Sequence, residues 1–246
     1  MREAVIVSAA RTPIGKAYRG AFNNLESPSM ASVAVKAAVD RSGIDPKEVD
    51  DCIMGAAIQQ GTQGFNLGRQ VAMASGLPVS VAGMTIDRQC SSGLMTIATG
   101  AKHIINDNAP ITIAGGCESI SLVQNEHMNS HRIGDPLTIK NAPMIHMPML
   151  DTAETVAKRY NISREAQDEY AVASQERTAD AQVRGAFDDE IVPVTAIKMI
   201  MNKETGEVTK EEVTLAKDEG NRPGTTIENL DILAHHNFGR IQSPYC

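Results

Sequence analysis

Cys90 is the residue of this sequence whose type and setting point most directly to chemistry. It stands in "TIDRQCSSGLMTIATGAKHI", after a strand-like run ending at Asp87 and before a run with helical spacing: Leu94, Ile97, Ala98, Ala101, Ile104 and Ile105. Ser91 and Ser92 offer capping hydroxyls, and Gly93 allows a backbone or a substrate to come close. A thiol in the first turn of such a helix feels unpaired backbone N–H groups and the positive end of the helix dipole. Both favour the thiolate, which is the nucleophilic form. Spacing alone leaves a second reading open, because free cysteine is among the most buried residue types and Cys90 could equally be apolar filling.

The other reactive groups offer less. Gly115, Gly116 and Cys117 follow an apolar run and read as a tight turn. His127 and His131 are four apart, but "EHMNSH" is not a metalloprotease signature and has no third ligand, so no metal site is expected. His235 and His236 read as exposed residues near the end of the chain. Cys52, Cys90, Cys117 and Cys246 show no CxxC spacing, which fits free thiols in a reducing compartment. A net charge of −7 argues against nucleic acid as a partner, while leaving room for a local basic pocket around one phosphorylated ligand. No apolar run reaches the roughly 18 residues of a membrane span. The N-terminus has no signal-peptide pattern, so a cytoplasmic protein without a membrane span is expected.

These residues must be held by elements, and the pattern alternates. "AVIVSAA" (Ala4 to Ala10) reads as a buried strand ending at "RTPIG". Ser27, Pro28 and Gly43 punctuate a helix, "IDPKEVDDCIMG" a turn and a strand, and "NLGRQVAMASG" a helix stopped by Gly76. "VAGMTID" and "PITIAGG" read as strands flanking the helix after Cys90. Strands alternating with helices imply an α/β layer fold. From about Ser119 periodicity fades into a long ordered loop, of the kind that usually binds something. Asp151 with Glu154 then resembles a capping box, and Ser163 caps a second helix that stops at Gly185. "DEIVPVTAIKMI" is strand-like, "NKETGEVTKEEV" reads as an exposed hairpin, and a further helix follows "DEGNRPGTT".

Five separated stretches carry a resemblance: "VIVSAARTPIGKAYRGAF", "NLGRQVAM", "DRQCSSGLMTIATGAKHI", "AGGCESIS" and "DTAETVAKRYNISREAQDEYAVASQERTADAQ". Together they resemble the N-terminal half of thiolases, acyltransferases that cleave or form 3-oxoacyl-CoA. The resemblance implies a mixed sheet with helices on both faces over residues 1–118 and a mostly helical inserted loop domain over 119–230. It gives the loop domain coenzyme A binding and subunit assembly. It makes Cys90 the residue that carries the acyl group as a thioester. Met149, in "PMLDTAE", matches a methionine lining the acyl pocket, and Arg222, in "DEGNRPGTT", a basic residue near the nucleotide end of coenzyme A. Acyl-CoA and coenzyme A are then the small-molecule partners, coenzyme A is a substrate, and no further cofactor is implied. Family members are dimers or tetramers, so a homo-oligomer is expected.

The sequence also departs from the family. Three C-terminal motifs of thiolases, Asn-Glu-x-Phe, Gly-His-Pro and Cys-x-Gly, are absent. In the family they supply an oxyanion-hole water, the histidine that activates the nucleophile, and the second cysteine. Residues 231–246, "DILAHHNFGRIQSPYC", read as a divergent tail beyond the resemblance. The expectation is a truncated chain whose thiolysis is absent or severely reduced when it acts alone, with an apolar face and a sheet edge left open. The rival expectation is a non-catalytic coenzyme A-binding or assembly fragment that pairs with a separate C-terminal half.

Overall fold

A computed structural model describes residues 2–202 and 204–234; the tail residues 235–246, with His235, His236 and Cys246, lie outside the described residues. The chain forms two compact units. The first holds residues to Met128 together with Asp188–Gly220, and the second holds Asn129–Phe187 with the described residues from Asn221. The division expected at residue 118 differs from this one in placing the later hairpin with the second part.

The first unit is built on three parallel strands in the order β2-β1-β3: β1 (Val49–Gly55), β2 (Ala82–Ile86) and β3 (Ile111–Gly116). Between them run α2 (Leu67–Ala74) and α3 (Ser92–Asn106), and α1 (Ser27–Ser42) comes before. From β1 to β2 the chain steps one way along the sheet, and from β2 to β3 it steps back past β1. Right-handed crossovers therefore put α2 and α3 on opposite faces. Burial agrees. Cys52 and Met54 join the core formed with Val35, Val39, Val71, Ala72 and Val81, while Ile53 and Gly55 turn towards α3. A strand covered on both faces has no polar alternation, and residues 52–56 are all buried.

Local chemistry fixes the ends. Pro28 sits in the first turn of α1, and Gly43 closes it at φ 69° in the left-handed region that suits glycine. The N-cap is Glu26 rather than Ser27, which is buried and bonded elsewhere.

Three expectations change. The run Ala4 to Ala10 forms no strand among the described residues, and Val5, Ile6 and Val7 are 71%, 79% and 67% exposed. Only Arg11 bridges to Ile191. A strand apolar on consecutive positions needs a neighbour on each face and a ladder beside it, and neither β2 nor β3 pairs with this run. The apolar stripe of α3 is not its buried seam either. Ser92, Thr96 and Gly100 face the sheet, while Leu94 is 72% exposed and Ile97 and Ile105 are also exposed. Small residues win the inner face because the helix lies so close to β3 that a Cβ on Gly100 would come 2.8 Å from the Thr112 hydroxyl. The hairpin, finally, is longer and earlier than read: β4 (Val194–Met201) pairs antiparallel with β5 (Val208–Leu215). It packs Val194 and Ala196 on Ala21 and Phe22, and Asn23 bonds both backbone groups of Met199.

A clamp closes this unit. Arg11 forks onto both oxygens of Asp218 at 2.8 and 3.0 Å and reaches Glu190, while the Ile14 amide donates to Asp218. Burial pulls the Asp218 carboxyl up, but the Arg11 fork and the Ile14 amide outweigh it and hold the group below its usual value. A depressed carboxyl contributes its stability fully above about pH 4 and loses it as pH falls through the folded value. Asp218→Asn is therefore expected to cost about 1–3 kcal/mol at neutral pH. Urea midpoints taken from pH 7 down to pH 3 should fall less steeply for that variant than for the parent chain; equal slopes would show that the clamp is energetically idle.

In the second unit, α4 (Ile120–Val123) having closed the first, the residues expected to be a long loop hold α5 (Pro136–Asn141) among turns. Then come α6 (Met149–Tyr160), α7 (Arg164–Val183) and α8 (Ile227–Ala234). Ser163 caps α7 by accepting from the Ala166 amide, as its position suggests. The capping box at Asp151 does not form. α6 starts three residues earlier, with Pro148 at its N-cap, and Asp151 lies in the first turn, where a carboxylate still suits the dipole.

Candidate active site

Cys90 stands in the loop between β2 and α3, at the carboxyl ends of the three parallel strands, where open α/β sheets place their ligands. It is exposed, and among the described residues its thiol has no hydrogen-bond partner. It lies one residue before the N-cap, Ser91, rather than inside the first turn. Gln89, just before it, takes a left-handed backbone at φ 50°, a conformation that costs a non-glycine residue about 1–3 kcal/mol. The loop holds this bend through side chains. Asp87 accepts from the Gln89 amide, the Ser91 hydroxyl donates to the Arg88 carbonyl, and Ser92 donates to the Gln89 carbonyl while accepting from the Arg88 amide.

Those bonds change the expected part of the two serines. Neither caps the helix; both brace the turn that presents Cys90. The Gly93 and Leu94 amides are left without a partner among the described residues, so the end of α3 keeps its positive potential towards the loop. The helix is seated from below. A Cβ on Gly55 would stand 2.5 Å from the Ser92 backbone, one on Gly116 would stand 3.2 Å from Gly93, and the Thr96 hydroxyl donates to the Gly115 carbonyl. The glycines of "AGGCES" are thus the floor on which the first turn of α3 rests.

The two other described cysteines have the opposite environment. Burial pushes the Cys52 thiol up to about 12, with the neighbouring Asp51 charge adding to it. Burial likewise pushes Cys117 up to about 12, against a weak bond to the Ser27 carbonyl. Under native conditions iodoacetamide is expected to alkylate Cys90 and to leave Cys52 and Cys117 unmodified, with peptide mapping as the readout. Labelling of Cys117 as fast as Cys90 would contradict the packing described here.

Met149 is the first residue of α6 and is exposed, as is Arg222; both belong to the second unit, whereas Cys90 belongs to the first. The loop carrying Arg222 is fixed to α7, because Gln175 accepts from the Arg222 amide and from the Asn221 side chain. A shallow concavity between α6 and α7, lined by Glu154, Lys158, Asn161, Ser163 and Gln167 among others, includes none of Cys90, Met149 and Arg222. His127 and His131 lie in turns, and among the described residues no group of three His, Cys, Asp or Glu could hold a metal ion. No described helix is long and apolar enough to cross a membrane.

Sequence reasoning passed over Gln63 and Glu118. Gln63 is fully buried and bonds Ile58, Glu118, Ser119 and Ser27. Glu118 lay inside a quoted motif, but nothing in its spacing showed that its carboxylate collects the Ala57 and Ile58 amides.

Comparison with known proteins identifies this arrangement. Residues 4–244 match the family model "Thiolase, N-terminal domain", a span that includes most of the stretch read as a divergent tail. A 3-ketoacyl-CoA thiolase of Bacillus subtilis is 40% identical over 95% of this chain and 59% of its own length. An acetyl-CoA acetyltransferase of Cupriavidus necator is 38% identical over the same shares. The crystal structure of the Bacillus anthracis acetyl-CoA acetyltransferase superposes with a TM-score of 0.78 at 36% identity, over 94% of this chain and 58% of that one. The chain thus spans about three-fifths of the length of the relatives it matches. The α/β sheet with a cysteine presented before α3 is here the thiolase N-terminal domain, and the chain belongs to the thiolase family.

Proposed function

We propose that the chain performs acyl transfer through Cys90 on 3-oxoacyl-CoA or acetyl-CoA. The observation that supports it most is the contrast among the described cysteines: Cys90 alone is exposed and mounted ahead of a helix, while Cys52 is buried and Cys117 half-buried, both with raised thiols. In this reading the Cys90 thiolate attacks the 3-oxo carbonyl. The oxyanion collapses, the carbon–carbon bond breaks, and its electron pair leaves as the enolate of acetyl-CoA, which takes up a proton. The thiolate of a second coenzyme A then attacks the thioester and returns Cys90 as thiolate. Oxyanions form in both steps and need oriented donors, the largest single term in many such reactions. Met149 lines the acyl pocket and Arg222 meets the nucleotide end of coenzyme A, where a guanidinium suits phosphate. Free thiols fit a cytoplasmic setting.

Because the Asn-Glu-x-Phe, Gly-His-Pro and Cys-x-Gly motifs are not in this sequence, the isolated chain is read as competent for acylation and deficient in full thiolysis. Incubation with acetyl-CoA followed by mass spectrometry tests this. An acetyl group on Cys90 supports the reading, and its absence there would sink it. Cleavage of acetoacetyl-CoA by the pure chain at ordinary enzymatic rates would refute the deficiency.

A second reading, an assembly fragment that pairs with a separate polypeptide carrying those motifs, draws on the exposed Leu94, Ile97 and Ile105 of α3 and on Val5–Val7. It takes the place of the homo-oligomer expected of the family. Co-purification of such a polypeptide, with a matching gain in thiolysis, would favour it; a chain sedimenting only with copies of itself would count against it.

A further inference from the structure

We infer that Gln63 and Glu118 are positioning residues for Cys90: a buried amide bonded to a carboxylate on an exposed residue, which together fix the floor under the first turn of α3. The inference rests on the proposed role of Cys90 as the nucleophile.

Gln63 has no exposed surface, and each polar atom of its side chain is used. Its amide nitrogen donates to the Ile58 carbonyl at 2.8 Å and to Glu118, and its oxygen accepts from the Ser119 amide and from the Ser27 hydroxyl. Glu118 in turn accepts from the Ala57 amide at 2.7 Å and from the Ile58 amide. The pair therefore joins three segments far apart in sequence: the start of α1, the loop after β1, and the residues after β3.

Two backbone bonds carry this joint to the strand ends. Cys117 donates to the Gly55 carbonyl, and Ala56 donates to the Ile86 carbonyl at the end of β2, four residues before Cys90. Gly55 and Gly116 then meet Ser92 and Gly93 with no space for a side chain. A shift of Gly55, where that loop begins, passes directly to the first turn of α3, because the two backbones are in contact. That turn sets the angle between its free amides and the Cys90 sulfur. A carboxylate is used here because one group must collect two backbone amides and a side-chain amide, which an ionised acid does well.

Rates of Cys90 alkylation by iodoacetamide test the inference without requiring turnover. Glu118→Gln keeps the size of the side chain but turns one acceptor into a donor facing backbone amides. It also removes a negative charge, which by electrostatics alone would favour the thiolate and speed the reaction. Positioning predicts the opposite: about tenfold slower alkylation in the folded protein. The reciprocal swap, Gln63→Glu with Glu118→Gln, restores an amide–carboxylate bond and is expected to recover most of the rate. Gln63→Met, which retains the Glu118 charge, should be slowed similarly where it folds, as monitored by circular dichroism. A Glu118→Gln rate equal to or above that of the parent, or a swap no faster than Glu118→Gln, overturns the inference. Acetylation of the parent chain by acetyl-CoA is measured alongside. Its failure would undo the nucleophile reading, whereas a parent that acetylates with Cys90 rates unmoved by these variants would undo only the positioning role.

Discussion

A Cys90→Ser chain is expected to take up no acetyl group from acetyl-CoA at position 90, with acylation slowed by at least about 10³-fold. The substitution keeps the size and exposure of the side chain and leaves the bracing bonds of Asp87, Ser91 and Ser92 in place. What it removes is the sulfur, the better nucleophile of the two atoms. A serine hydroxyl needs a general base beside it, and among the described residues Cys90 has no hydrogen-bond partner that could serve. Melting temperature should change little, since the side chain contributes no packing or bonding to the core. Time-resolved mass spectrometry of both chains decides the matter. A variant acetylated elsewhere at the parent's rate would move the chemistry to another residue.

The second large effect is structural. Gly55→Ala would set a methyl group 2.5 Å from the Ser92 carbonyl carbon and 2.7 Å from the Gly93 nitrogen, both backbone atoms that cannot rotate away. Either β1 or the start of α3 must move. Overpacking of this kind against backbone is expected to cost about 3 kcal/mol. For a chain of this size that lowers the melting temperature by roughly 6–12 °C. Gly115→Ala is the internal control, because its nearest neighbours are atoms of the flexible Met54 side chain at 3.7 Å and it should be nearly neutral. Equal stability of the two variants would show that the seat of α3 is softer than its geometry. Cys90 alkylation should also slow in Gly55→Ala, since the displaced turn is the one that presents the thiol.

Much of the first unit was legible because its signals are local. Pro28 and Gly43 bound α1 through dihedral preference alone, and Asp45 before Pro46 makes the short turn it suggests, accepting from the Lys47 amide. The strand–cysteine–helix order around Cys90 could be read the same way. Features that depend on partners could not. Val5, Ile6 and Val7 have the composition of a strand buried on both faces, yet composition does not reveal whether a neighbouring strand exists. The stripe of α3 shows that this helix has an apolar side, but the side facing the sheet was chosen by close approach, which favours Ser92, Thr96 and Gly100. Gln63 is the clearest case. A glutamine between Thr62 and Gly64 looks like any loop residue, and its burial follows from acceptors and donors as far away as Ser27 and Ser119.

The Arg11–Asp218 clamp has a consequence for how the chain is made. The two residues are 207 positions apart, and the second unit's Asn129–Phe187 is synthesised between them. At about 5–20 residues per second, Arg11 waits roughly 10–40 s for its carboxylate to leave the ribosome. During that time α1, α2, α3 and their sheet can form, since the contacts among them are nearer in sequence, while Ala21 and Phe22 stay uncovered until Val194 and Ala196 arrive. The first unit is thus assembled early and sealed late. A nascent chain stalled before Asp188 should be attacked by protease around residues 11–25, and one released past Gly220 should be protected there.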